Sequence, residues 1–77
     1  MLELVNYLVE KLVPDGDYSV EMRENGDTAD IVITIAQSDI GKIIGKQGRI
    51  ARSIRTLVKA ASGRGSVRYS VTIEEKA

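Results

Sequence analysis

The chain has no cysteine and no histidine. Disulfides, thiol chemistry, zinc sites and imidazole acid–base catalysis are therefore all excluded. Tryptophan and phenylalanine are missing too, and three tyrosines supply the whole aromatic content. Tyr7, Tyr18 and Tyr69 stand at apolar positions, where the expected role is core filling. No segment approaches the length of a membrane span. Met1-Leu2-Glu3-Leu4 lacks both the basic start and the unbroken apolar run of a signal peptide, so the expected location is the cytoplasm. At 77 residues there is room for one small domain over 1–77 and for no catalytic domain beside it. No nucleophile–base pair is visible, and an isolated serine or carboxylate is no active site. Asp15 and Asp17 share a loop, but the other ligands of a calcium loop do not follow. The expectation is a protein that is not an enzyme, with neither cofactor nor metal. A core this small is marginal alone, which makes association with a partner plausible.

What is present is unevenly placed. The formal net charge is zero, yet before Ile40 two basic residues, Lys11 and Arg23, face nine acidic ones. From Ile40 onward nine basic residues face only Glu74 and Glu75. The two parts carry formal charges of −7 and +7, and between Ile40 and Ile73 every charged side chain is basic. An electrostatic footprint is local, so this asymmetry matters more than the average.

Ile40 to Ile50 reads I-G-K-I-I-G-K-Q-G-R-I. Gly45 and Gly48 bracket Lys46 and Gln47, with Ile43 and Ile44 before them and a basic amphipathic segment after. A backbone without Cβ atoms just before a helix can approach a phosphate closely and present its N–H groups. The basic side chains suit the same ligand, and the isoleucines suit something flat and apolar, such as a base. Together they point to a clamp on a nucleic-acid backbone. The loop is no nucleotide P-loop, because Gly45-Lys46 is followed by Gln47 rather than Ser or Thr. Nor is it a dinucleotide fingerprint, for G-x-G is absent. Gly41 and Gly45 have the spacing of a membrane helix-packing motif, but their surroundings are too polar for one.

Periodicity places this loop in a fold. Leu2, Val5, Leu8, Val9 and Leu12 predict a helix over 2–13, stopped by Pro14. Tyr18, Val20 and Met22 alternate as a strand, Asn25-Gly26 signals a hairpin, and Ile31 to Ile35 form the β-branched partner. Ser38 is the expected N-cap of a short helix that ends at Gly45 in the αL conformation. Gly48 opens a longer helix with Ala51, Ile54, Val58 and Ala61 on one face, Ile50 and Leu57 beside it, and Arg49, Arg52, Arg55 and Lys59 on the wet face. Gly63-Arg64-Gly65 ends that helix. Val67, Tyr69, Val71 and Ile73 form a last strand, parallel to the second by a right-handed crossover. The expected class is α+β, in the order α-β-β-α-α-β: a mixed three-stranded sheet in chain order, with three helices packed on one face.

That order and the I-I-G-K-Q-G-R-I segment resemble a KH domain of the type II topology, in which a G-X-X-G loop joins two helices. The resemblance covers essentially the whole chain. The longer run I-G-K-I-I-G-K-Q-G-R-I-A-R-S-I-R-T is similar to the small single-KH RNA-binding proteins of bacteria. Ala51 departs from the large aliphatic of the wider KH pattern, with Ile50 and Ile54 flanking it as in the small bacterial group. The resemblance implies about four unpaired nucleotides held per domain. It assigns Gly45, Lys46, Gln47 and Gly48 to the sugar–phosphate backbone. Gly41, Lys42 and Ile44 on the short helix border the bases, the second strand closes the groove opposite, and Arg49, Arg52 and Arg55 extend the positive edge. Affinity for single-stranded RNA from one domain should be weak, about micromolar or poorer, because few phosphates are touched. The resemblance also implies an RNA chaperone or post-transcriptional regulator. Its implied partner is a second copy or a larger KH-containing RNA-binding protein, in control of cell-envelope growth and cell shape.

Two other functions fit the residues more loosely. Two helices joined through glycine, the second basic, could be a helix-turn-helix DNA binder, although flanking strands and a short first helix argue against it. The basic helix could also serve a protein–protein adaptor.

Overall fold

The computed structural model describes residues 1–63 and 65–76. Arg64, the centre of the expected Gly63-Arg64-Gly65 stop, lies outside the described residues, as does Ala77. The elements are α1 (Leu2–Leu12), β1 (Tyr18–Asn25), β2 (Thr28–Ala36), α2 (Ile40–Ile44), a 3-10 turn (Lys46–Gly48), α3 (Arg49–Ser62) and β3 (Arg68–Lys76). Two of the helices are full-length, while α2 has only five residues.

Val5 and Val9, one turn apart on α1, are completely buried. The helix stops one residue earlier than its periodicity suggests. Val13 leaves the helical conformation but still donates its amide to the Val9 carbonyl at 2.9 Å, and Pro14 has no amide with which to continue. Tyr7 is not core: it is 56% exposed, with Lys11 Nζ 5.2 Å from its ring centroid. Two residues from both Val5 and Val9, it sits about 200° around the helix from the buried line.

β1 and β2 pair antiparallel from Tyr18↔Ile35 to Asn25↔Thr28. The two-residue turn is thus Gly26-Asp27, one position later than Asn25-Gly26. Gly26 takes φ +64°, and neither Asn25 nor Asp27 has positive φ. Glycine at the first central position is the type II′ arrangement, which matches the twist of the strands. β3 runs parallel to β2, from Thr28↔Arg68 to Ala36↔Lys76, giving the strand order β1-β2-β3. The molecule is therefore α+β with a mixed three-stranded sheet.

Ile31, Ile33 and Ile35 on β2 form the centre of the core with Val5, Val9, Ile43, Ile54, Val58 and Val71. On the other face of the sheet Asp30 accepts hydrogen bonds from Ser70 Oγ at 2.9 Å and Thr72 Oγ1 at 3.0 Å. These bonds tie β2 to β3 by side chains as well as backbone. Since β2 is the middle strand, paired on both sides, it offers no free edge to a groove. The strand beside α3 with a free outer edge is β3. On α3 the buried residues are Ala51, Ile54 and Val58. Ala61 is exposed in the last turn and Leu57 is 46% exposed, so the apolar face is narrower than expected. Leu57 stands about 100° around the helix from Val58, at the margin of the packed face.

Candidate nucleic-acid interface

A five-residue helix has no stability of its own. α2 is held in place by Ile43, which is completely buried, while the adjacent Ile44 is 37% exposed. Gly41 lies on the exposed side, and a Cβ built there would meet nothing within 4 Å. Gly41 and Ile44 therefore offer an open, weakly polar surface beside the loop. The N-cap is Asp39 rather than Ser38, and its side chain makes no capping hydrogen bond. Asp39 instead pairs with Lys42 Nζ at 3.2 Å, so the Lys42 charge is partly engaged within α2.

The Gly45 amide closes α2 by donating to the Gly41 carbonyl at 2.8 Å. Gly45 then takes φ 74° and ψ 177°. This is not αL but an extended conformation at positive φ, a region open essentially to glycine alone. Space requires glycine there as well, because a Cβ would lie 2.7 Å from Ile50 Cγ1. The αL residues are the next pair but one: Gln47 at φ 57°, ψ 26° and Gly48 at φ 72°, ψ 17°. Gln47 is the only non-glycine with positive φ among the described residues. Such a conformation typically costs about 1–3 kcal/mol and marks positions where surrounding structure over-determines the backbone.

Turn bonds consume part of the donor set. Gly48 donates to the Gly45 carbonyl at 3.2 Å, and Arg49 to the Lys46 carbonyl. The Lys46 and Gln47 amides take no part in these bonds, which narrows the loop's available main-chain donors from four to two. Both side chains are exposed, and Lys46 has no ion-pair partner among the described residues.

Gly48 leads directly into α3, so the loop sits at the positive end of a helix of 14 residues. Arg49 and Arg52 are exposed in its first turns. Arg55 stands farther along, where its Nε donates to the Val71 carbonyl of β3 at 3.3 Å. The structure thus brings Gly41, Ile44, the Gly45–Gly48 loop, Arg49 and Arg52 to one end of the fold, and sets Lys42 and Arg55 at its margins. Sequence reasoning missed two features. One is the left-handed backbone of Gln47, which no residue type announces. The other is the free edge of β3, signalled only by strand order.

This geometry can be set beside known proteins. The family model described as "KhpA/KhpB, KH domain" matches residues 2–73. The chain is 41% identical over 78 residues to the RNA-binding protein KhpA of Chlamydia trachomatis, covering 99% of each chain. It is 47% identical over 75 residues to the RNA-binding protein KhpA of Caldanaerobacter subterraneus, covering 95% of this chain and 99% of that one. A loop of left-handed backbone between a short exposed helix and a basic one, on a mixed three-stranded sheet, thus accompanies a match over nearly the whole sequence, and the chain belongs to the KhpA/KhpB KH-domain family.

Proposed function

We propose that this chain is an RNA-binding protein, a single KH domain of type II topology over 1–77 that grips about four unpaired nucleotides. The observation that carries the reading is the Gly45–Gly48 loop, where Gly45, Gln47 and Gly48 all hold positive φ and the Lys46 and Gln47 amides take no part in the turn's own bonds. The name printed for its relatives, RNA-binding protein, supports it. Phosphates lie against the Lys46 and Gln47 amides and the Lys46 ammonium. Arg49 and Arg52 add charge along the strand's path, with Arg55 and Lys42 as outer contributors. Bases rest on Gly41 and Ile44, and the free edge of β3 replaces β2 as the opposite wall. In the cell the protein acts in the cytoplasm as an RNA chaperone or post-transcriptional regulator. It pairs with a second copy or a larger KH-containing RNA-binding protein, in control of envelope growth and cell shape. Among the described residues no helix is long and apolar enough to cross a membrane.

The test is a Lys46→Asp, Gln47→Asp double substitution. Aspartate tolerates αL better than most residues, so the backbone at position 47 survives, while two carboxylates repel phosphate. Fluorescence anisotropy with a short single-stranded RNA should show binding lost while the circular dichroism spectrum and melting temperature stay near wild type. A folded variant with unchanged affinity overturns the clamp. Preference of the wild type for duplex DNA would replace it with the helix-turn-helix reading, which the five-residue α2 does not favour.

A further inference from the structure

β1 pairs only with β2, so its other edge is free. Ala36 donates to the Asp17 carbonyl at 3.2 Å, and bonded pairs alternate along an antiparallel ladder. Ser19, Glu21, Arg23 and Asn25 therefore turn their backbone toward β2. Tyr18, Val20, Met22 and Glu24 turn theirs outward, and no side chain or loop among the described residues hydrogen-bonds to them. Proteins commonly guard such an edge with proline, lysine or a bulge. β1 has no proline and no lysine, and its register with β2 is unbroken over eight residues. Beside it, between α1 and β1, lies a hollow of about 210 Å³ bordered by Leu2, Glu3, Asn6 and Val20. Glu3, Asn6 and Glu10 follow at spacings of three and four, so Glu10 continues the same stripe of α1. Glu3, Glu10, Glu21 and Glu24 are all exposed and form no ion pair among the described residues. Of the two cations in this part of the chain, Lys11 lies over the Tyr7 ring at 5.2 Å. The other, Arg23, stands across from Asp30 in the register.

We infer that the free edge of β1 is a docking site for an extended basic segment of a partner protein, which adds to the sheet as a fourth strand. The outward N–H and C=O groups of Tyr18, Val20, Met22 and Glu24 supply the main-chain bonds of such an addition. Alternate side chains of the added strand fall on the α1 side of the sheet. There Leu2 and Val20 give the hollow apolar walls, and Glu3 and Asn6 give it a polar rim. That chemistry takes an aliphatic stem ending in a cation, a lysine or an arginine. The surrounding acidic residues draw a basic segment in and turn RNA away. A second copy is the other occupant a free edge could take, and charge disfavours it. Pairing β1 with β1 would bring together two parts of formal charge −7 each. The site shares no residue with the RNA interface above, so the two stand or fall separately.

The experiment titrates the protein into the fluorescein-labelled peptide Lys-Val-Lys-Thr-Lys-Val-Lys-Thr, followed by anisotropy. One control peptide carries Glu in place of every Lys. The other is N-methylated at every residue, which keeps the charge and removes every main-chain donor. Wild type should bind the basic peptide saturably and neither control. Glu3→Gln with Glu10→Gln should weaken binding about fivefold, the share of two exposed ion pairs, while RNA affinity stays as in wild type. Amide exchange followed by NMR should slow at Tyr18, Val20, Met22 and Glu24 when the peptide is added, and not at Lys46 or Gln47. Absence of saturable binding, equal binding of the N-methylated peptide, or binding unchanged by the two Gln substitutions overturns the site. So does protection that appears elsewhere on the molecule. Protection of the same four amides without peptide, growing with protein concentration, assigns the edge to a second copy and also overturns it.

Discussion

Gly45 and Gly48 look equivalent in the sequence and are not. Gly45 is required twice, by a backbone conformation essentially closed to other residues and by Ile50 Cγ1 only 2.7 Å from where a Cβ would sit. Gly48 is required by φ alone, with open space around it. Gly45→Ala should therefore lower stability more than Gly48→Ala, for which left-handed backbone costs about 1–2 kcal/mol. In a domain of this size each kcal/mol moves the melting temperature by about 4–8 °C, so thermal denaturation resolves the order. Gln47→Gly should be neutral or stabilising, since it relieves the same strain at the price of some unfolded-state entropy. A reversed glycine order, or a destabilised Gln47→Gly, would mean the loop backbone differs from the one described. Glycine announced its own positions here. Gln47 could not be read in advance, because its conformation is imposed by the turn on either side.

At the scale of elements, the two isoleucines of α2 divide the work of holding the helix and presenting it. Ile43→Ala empties a fully buried site and should cost about 2–5 kcal/mol, out of a total that for this length is about 4–12 kcal/mol. Ile44→Ala removes a side chain already 37% exposed and should shift stability by under about 1 kcal/mol while weakening RNA affinity. Urea denaturation and anisotropy measure the two effects. Equal destabilisation by both would mean that α2 is rotated from the orientation described. The helices and strands themselves were legible because apolar residues recur at clear periods: Val5 and Val9 on α1, Ile31, Ile33 and Ile35 on β2, Ile54 and Val58 on α3. Boundaries were less so. β3 extends past Ile73 to Lys76 because β2 supplies partners as far as Ala36, information held by another strand. The burial of α3 was overestimated for Leu57 and Ala61 because periodicity does not reveal the width of the surface a helix rests on.

For the molecule as a whole, the division of charge predicts where mutations will be silent. Arg52→Ala should weaken binding to all RNA sequences alike, because a cation beside the loop meets phosphate rather than a base edge. The salt slope should fall by about 0.7, the share of one phosphate on a single strand. Glu10→Gln, on the exposed side of α1, should change neither affinity nor slope. A larger effect from Glu10→Gln than from Arg52→Ala would put the RNA on the opposite side of the molecule. The sign of each half could be read from the chain. The free edge of β3 could not, because it exists only once strand order is known.

The parallel pairing of β2 with β3 has a consequence in time. Ile31 meets Val71 across 40 positions of chain, whereas the β1–β2 hairpin closes through two residues. Contacts so distant in sequence form late, after loop closure has been overcome. Everything between them, from α2 through the glycine loop to α3, belongs to the connection that β3 completes. During synthesis the hairpin can assemble as soon as it is free of the ribosome, but β3 emerges only after the whole connection that it must frame. A nascent or truncated chain that ends before Arg68 has every residue of the loop and no fixed frame for it. The frame of the loop is then complete only once β3 has paired with β2.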